Sequence, residues 1–193
     1  IANLGKVNVT RLTNSQLSDD DWPRIRDARA ELSRRSPIYI SDAPGLTIAQ
    51  IRAFVREVAR KGPLAGVVLD YLQLTESADP RKDRQAHVAE VSRAMKVLAK
   101  EFGVPVIVLS QVNRKSEERA DGRPRLADLR ESGAIEQDAD VVMIMHRDPD
   151  PDRVGEVDVI VAKQRGGKTD EARMAWLGHY AAIEDMGDPF GGY

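Results

Sequence analysis

Gly66-Val67-Val68-Leu69-Asp70-Tyr71-Leu72-Gln73-Leu74 is the stretch on which the reading of the whole chain turns. The short apolar run from Val67 to Leu69 ends abruptly in an acid, which suits a strand buried on both faces of a parallel sheet. Asp70 then stands at the carboxyl end of that strand, where open α/β sheets hold their ligands. A carboxylate there can hold Mg²⁺, directly or through water, beside the phosphates of a nucleotide, which is the task of a Walker B acid. A capping or turn aspartate after a core strand is the alternative reading.

Upstream of this stretch, Ser18-Asp19-Asp20-Asp21 has the character of a helix start, with acids at the positive end of the dipole. Trp22, Ile25, Ala28 and Leu32 follow at helical spacing. Ile38-Tyr39-Ile40 reads as a short strand, and Asp42-Ala43-Pro44-Gly45 as a turn. Thr47 and Gln50 match a capping box, and Ile48, Ile51, Phe54, Val55 and Val58 give the helix behind them an apolar face.

Downstream, Thr75 to Arg84 is polar and is expected to be a mobile connection. Val88, Val91, Met95, Leu98 and Phe102 step by three and four, predicting an amphipathic helix that ends before Gly103. Val104 to Leu109 is a second buried strand, closed by Ser110-Gln111. The alternation of strand and helix predicts a parallel sheet with right-handed crossovers. Gln111 would face the same crevice as Asp70, where a glutamine can orient a water or touch a γ-phosphate; a turn residue is the alternative.

Composition narrows the classes. The chain has 193 residues and a formal net charge of −2, so global charge predicts no partner and any nucleic-acid contact must be a local patch. With no cysteine, disulfides and thiolate metal sites are excluded. His87, His146 and His179 lack ligand spacing for zinc. No apolar run approaches membrane-spanning length and no signal peptide opens the chain. A start at Ile1 rather than Met leads us to expect a processed or trimmed piece of something longer.

The remaining segments carry a more specific pattern. Arg114, Lys115, Arg119, Arg123 and Arg125, mixed with acids, form either a charged surface loop or a phosphate-contacting one. Val141 to Met145 and Val157 to Ala162 read as strands, Gly166-Gly167 as a tight turn, and Ala172 to Ala182 as a β-hairpin edge. The motifs Asp70-Tyr71-Leu72-Gln73-Leu74, Val104-Pro105-Val106-Ile107 through Ser110-Gln111, Asp128-Leu129-Arg130-Glu131-Ser132-Gly133-Ala134-Ile135-Glu136-Gln137-Asp138-Ala139-Asp140 and Ala162-Lys163-Gln164-Arg165 occur in that order. Together they resemble the C-terminal motor of DnaB-type replicative helicases, over about Trp22 to Lys168.

That resemblance implies an α/β, RecA-like P-loop NTPase core, a mostly parallel sheet flanked by helices and incomplete at its N-terminal side. Residues 1–184 would be a partial motor domain and 185–193 a flexible tail. It implies ATP and Mg²⁺ as cofactors, with Asp70 as the Walker B acid and metal-holding residue and Gln111 as the γ-phosphate sensor. Arg130, Glu131 and Gly133 match the loop that grips single-stranded DNA. Lys163 and Arg165 match a lysine and an arginine finger that reach the neighbouring subunit's nucleotide, where a guanidinium neutralises charge on the transferring phosphoryl group. The implied assembly is a homo-hexameric ring in the cytoplasm that translocates 5′–3′, served by primase and a helicase loader. On the residues alone, Arg130 and Glu131 could equally be an exposed ion pair, Gly133 a helix break, and Lys163 and Arg165 solvated strand-end residues.

The pattern departs from the family in two places. Gly166-Gly167-Lys168-Thr169 stands where an Asn-Gly-Pro-type turn is usual. Its Gly-Lys-Thr mimics the end of a phosphate-binding loop, but the glycine required upstream is absent, since Ala162 to Arg165 precede it. No G-x-x-x-x-G-K-[ST] occurs anywhere in the chain, so the phosphate loop and the catalytic glutamate are expected upstream of Ile1, and this chain alone is expected to be inactive. Two other readings stand beside the helicase: a RecA-type ring ATPase of recombination or repair, and a non-enzymatic motor remnant acting in assembly or DNA binding.

Overall fold

The computed structural model describes residues 1–35, 37–79, 81–113, 119, 122–129 and 132–186. It divides into two compact units. One is built from Ile1–Tyr39, Met145–Ile160 and Glu171–Tyr193, and the other from Ile40–Ile144 and Val161–Asp170.

The second unit contains the stretch around Asp70. Helix α4 (Ile48–Ala59) opens on the expected capping box: Thr47 Oγ1 accepts from Gln50 N at 3.4 Å, and Gln50 Oε1 accepts from Thr47 N at 2.9 Å. Strand β1 (Val67–Leu69) follows, then a 3-10 turn at Leu72–Leu74 and helix α5 (Arg84–Phe102). Asp83 caps the start of α5 by accepting from Gln85 N and Ala86 N, and Gly103 ends it at φ 65°, a left-handed position that costs glycine nothing. Strand β2 (Val106–Val108) pairs parallel to β1, Val67 opposite Val106 and Leu69 opposite Val108. Helix α6 (Ser132–Asp138) comes next.

The core of this unit is Ile51 and Val55 of α4 with Leu72 and with Val88, Val91, Met95 and Leu98 of α5, all buried, and half-buried Val67, Leu69, Val106 and Val108 pack against them. The α5 residues that step by three and four are thus the ones that close the core, as their periodicity predicts.

Two expectations fail here. The β1–β2 sheet is covered on one face only: Val68 is 63% exposed and Ile107 58%. Only Val67, Leu69, Val106 and Val108 point at the helices, because successive strand side chains alternate between faces. Ile38-Tyr39-Ile40 forms no strand and is exposed. An extended triplet becomes a strand only when a neighbouring edge takes up its backbone hydrogen bonds, and no strand among the described residues pairs with it. The polar connection after β1 also begins more firmly than expected, with Thr75 buried.

In the first unit, the N-terminal segment that gave no clear signal forms helices α1 (Ala2–Gly5) and α2 (Val9–Thr13), followed by α3 (Asp21–Arg34). Asp21 rather than Trp22 is buried at the start of α3, accepting from Ser18 N and Ser18 Oγ and pairing with Arg11 at 2.5 Å. A second sheet has the order β3-β4-β5-β6, from β3 (Val141–His146), β4 (Glu156–Gln164), β5 (Asp170–Leu177) and β6 (Ala182–Asp185). β5 and β6 pair antiparallel, Trp176 opposite Ile183, which is the hairpin edge expected of this region. Buried Asp158 is held by Arg153, which also binds Asp148 and Glu156 and fixes the turn into β4.

Candidate active site

Asp70 and Gln111 leave the parallel strands side by side. The ladder runs past the strand ends, with Leu109 N donating to Leu69 O at 3.0 Å and Leu72 N donating to Leu109 O at 2.9 Å. Asp70 lies between these two bonds, exposed, and its peptide bond to Tyr71 is cis. No cation among the described residues pairs with the Asp70 carboxylate, so its oxygens are open to a ligand.

The turn after Asp70 is pinned from beneath and then reaches across to the second strand. Leu72, 2% exposed, anchors it in the core. Thr75 Oγ1 donates to Leu72 O at 2.7 Å, and His87 Nε2 lies 3.0 Å from both Thr75 Oγ1 and Thr75 O. Since a carbonyl only accepts, Nε2 carries the proton toward Thr75 O. Gln73, between two leucines, turns its amide to the other strand's exit. Its Nε2 donates to Ser110 Oγ at 3.0 Å, and its Oε1 accepts from Gln111 N at 3.4 Å. Gln73 therefore ties the backbone of the candidate sensor to the turn of the candidate metal acid, a link across 38 residues of sequence that no local pattern announces.

Beyond Gln111 the chain is tied to the segment that precedes α6. Val112 bridges Leu129 in antiparallel fashion, and Asn113 N donates to Asp128 O at 2.9 Å. Asp128 accepts from Arg119 Nη1 at 2.8 Å and from Arg125 N at 2.7 Å. The Arg119 guanidinium is the main reason its carboxyl is held down to about 2. Gly133 lies in the first turn of α6, exposed, with nothing within 4 Å of where a Cβ would stand. It continues the helix rather than breaking it. Arg130 and Glu131 lie outside the described residues, as do Arg114 and Lys115.

A second polar group gathers at the carboxyl end of α6. Lys163 Nζ donates to Ala139 O at 2.7 Å and also to Glu136 O. Arg165 Nη2 donates to Gln137 O at 3.2 Å, and Arg165 N to Asp140 O at 2.8 Å. Cations here satisfy helix-end carbonyls that have no partner within the helix and complement the negative end of its dipole. The Asp140 carboxylate pairs with Lys96 of α5 and lies 3.7 Å from Arg165 Nη1. Lys96 is the first cause of its lowered pKa, with Arg165 and Lys163 contributing. Arg93 of α5 binds Asp138 at 2.9 Å. Lys96, Asp140 and Gln73 carry no signal by type or spacing; their partners lie 37 to 44 residues away.

Residues 1–185 match the family model described as DnaB-like helicase C terminal domain. The chain belongs to this family. It is 44% identical over 185 residues to the replicative DNA helicase DnaB of Mycobacterium leprae (strain TN), a match that covers 94% of this chain and 30% of that protein. The DnaB of Leifsonia xyli subsp. xyli (strain CTCB07) is 45% identical, over 93% of this chain and 40% of its own length. This DnaB-like chain therefore spans under half the length of these curated relatives. Among solved structures, a protein's isolated ATPase domain superposes with a TM-score of 0.88 at 34% identity, covering 96% of this chain and 68% of that one. A DnaB-like replicative helicase, studied with its interactions with primase, gives the same TM-score and identity and is covered over 46% of its length. The fold is accordingly α/β and RecA-like, as expected from the order of the motifs.

The residues fit a magnesium nucleotide in one respect that can be checked directly. Mg²⁺ beside a triphosphate keeps several waters and takes one or two carboxylates, not a cage of them. Asp70 supplies one exposed carboxylate, and among the described residues no cluster of three metal-binding side chains exists.

Proposed function

We propose that this chain is part of the motor of an ATP-driven replicative DNA helicase, a ring that translocates 5′–3′ on single-stranded DNA and opens the fork. The observation that carries this reading is the pairing of Asp70 and Gln111 at adjacent exits of parallel strands, joined through Gln73. In this reading Asp70 holds Mg²⁺, directly or through water, and the ion neutralises charge on the β- and γ-phosphates. Gln111 touches the γ-phosphate region and passes its state along the bridge from Val112 to Leu129. Arg130, Glu131 and Gly133 grip the DNA backbone. Lys163 and Arg165 serve the nucleotide of the adjacent subunit, so that hydrolysis depends on ring assembly.

The phosphate cradle of such a motor is a glycine-rich loop leading into a helix, and none of these 193 residues forms that motif. We assign it to residues of a longer protein, along with the catalytic glutamate, and the chain by itself is inactive in this account. The bare face of the β1–β2 sheet, with Val68 and Ile107 exposed, supports that assignment, because parallel sheets are ordinarily covered on both sides. The ring is hexameric, works in the cytoplasm, and takes primase and a loader as partners.

Forked duplexes with either a 5′ or a 3′ single-stranded tail, offered to the complete protein with MgATP, test the reading. Unwinding confined to the 5′-tailed fork supports it. Filament formation on DNA with hydrolysis but no directional unwinding would assign the chain to a recombination ATPase instead.

A further inference from the structure

Lys163 and Arg165 have two claims on them. In this structure both are engaged within their own subunit, on the last carbonyls of α6. That helix begins two residues after Arg130 in the chain. We propose that α6 is a latch. Its C-terminal carbonyls, with Asp140 as a positioning residue, hold the two cations back from the neighbour's nucleotide, and their departure loosens the helix that carries the DNA-gripping loop. This rests on the trans reading of Lys163 and Arg165 given above.

The chemistry of the two destinations is unequal. A helix carboxyl end presents roughly half a negative charge spread over its free carbonyls. A triphosphate on the neighbour presents several full charges and draws the cations away. Arg165 has the looser hold of the two. Its side chain is 60% exposed and has Gln137 O at 3.2 Å and the Asp140 carboxylate at 3.7 Å. Asp140 is fixed from the other side by Lys96, so the α5 helix that packs the core sets where Arg165 rests. The helix left behind has 7 residues, and a helix shorter than about 12 residues is marginal without outside partners. When Lys163 leaves, the carbonyls of Glu136 and Ala139 lose a donor and the last turn frays. Nucleotide arriving in one subunit is thereby felt at the DNA loop of the next.

The latch also predicts a gain where damage would give a loss. Asp140→Asn removes a full charge beside Arg165 and the partner of Lys96, while leaving both cations in place. In the complete ring, DNA-free ATP turnover rises about two- to five-fold, the range of a helix-end charge interaction, and the further stimulation by single-stranded DNA shrinks by the same factor. A merely destabilised ring would lose turnover instead. Backbone hydrogen exchange of the α6 segment, measured on the unaltered ring, needs no variant: it becomes several-fold faster when a non-hydrolysable ATP analogue is added. Exchange in α6 that ignores the nucleotide, or Asp140→Asn turnover at or below the unaltered level, overturns the latch. Normal hydrolysis by Arg165→Ala overturns the trans reading itself, a distinct result.

Discussion

The two halves of the candidate site are held by different forces. At the strand exits, Asp70 and Gln111 are placed by neutral hydrogen bonds and by packing: the Gln73 amide on Ser110 and Gln111, the Thr75 hydroxyl on Leu72 O, and Leu72 in the core. At the end of β4, Lys163 and Arg165 are placed by charge, on helix carbonyls and beside Asp140. Neutral bonds of the first kind are indifferent to salt and to most of the pH range. Exposed charge pairs of the second kind are screened by salt and surrendered to a stronger anion. The strand-exit half is therefore built to stay still, and the β4 half to exchange partners. That division matches a motor in which one subunit binds the nucleotide and its neighbour completes the site.

The largest effect should come from the exchangeable half. Arg165→Ala lowers the turnover of the complete ring by about 10³-fold or more while nucleotide affinity stays within a few-fold, because the guanidinium acts on the transition state. Equal losses in turnover and in affinity would place Arg165 in ordinary ground-state binding.

The still half breaks through its core. Leu72→Ala deletes the buried anchor beneath Gln73 and costs about 2–5 kcal/mol of stability, read as a lower denaturant midpoint. Val68→Ala, on the bare face of the same sheet, changes the stability of this chain by well under about 1 kcal/mol, as exposed positions do. A cost at Val68 equal to that at Leu72 would mean the face is not bare in solution.

Gln73→Ala is the sharper cut. It removes two neutral contacts worth about 1 kcal/mol each or less. The expected result is a loss of DNA-stimulated turnover that does not vary between low and high salt. A loss that grows with salt would mean the two halves are not held differently.

The smallest effect concerns Asp128, whose carboxyl Arg119 pulls down to about 2 from an ordinary 3.8. A depressed carboxylate stabilises the folded chain fully above its unfolded pKa. That contribution drains away as pH falls from 3.8 toward about 2. Asp128→Asn should therefore lower the melting temperature at pH 7 and flatten its fall across that acid window. An unchanged acid limb would show that the Arg119 pair contributes nothing.

Much of this was legible in the chain because it is local. The Thr47–Gln50 box, the α5 stripe ending at Gly103, and the apolar runs stopped by Asp70 and by Ser110 each lie within one element, where periodicity and capping chemistry speak directly. What was not legible depends on distant partners. Ile38-Tyr39-Ile40 has strand composition but no edge to pair with, and three residues cannot report that. Val68 is as apolar as its half-buried neighbours, and only the lack of a covering layer exposes it. Gln73, Lys96 and Asp140 act on residues far along the chain, so their types alone say nothing of the Gln111 tether or the α6 end. The same limit applied to Lys163 and Arg165: the family pattern points them at a neighbour, and nothing in their alternation along β4 points them at their own subunit's helix.

The most direct test is a mixing experiment. Complete protein carrying Asp70→Asn and complete protein carrying Arg165→Ala are assayed alone and then after co-assembly into mixed rings. Each variant alone should be close to inactive. Mixed rings should regain hydrolysis, since an Arg165→Ala subunit offers an intact Asp70 to the intact Arg165 of an adjacent Asp70→Asn subunit. Mixed rings as inactive as the parents would mean that Asp70 and Arg165 serve the same subunit, and the division of the site between neighbours would be wrong.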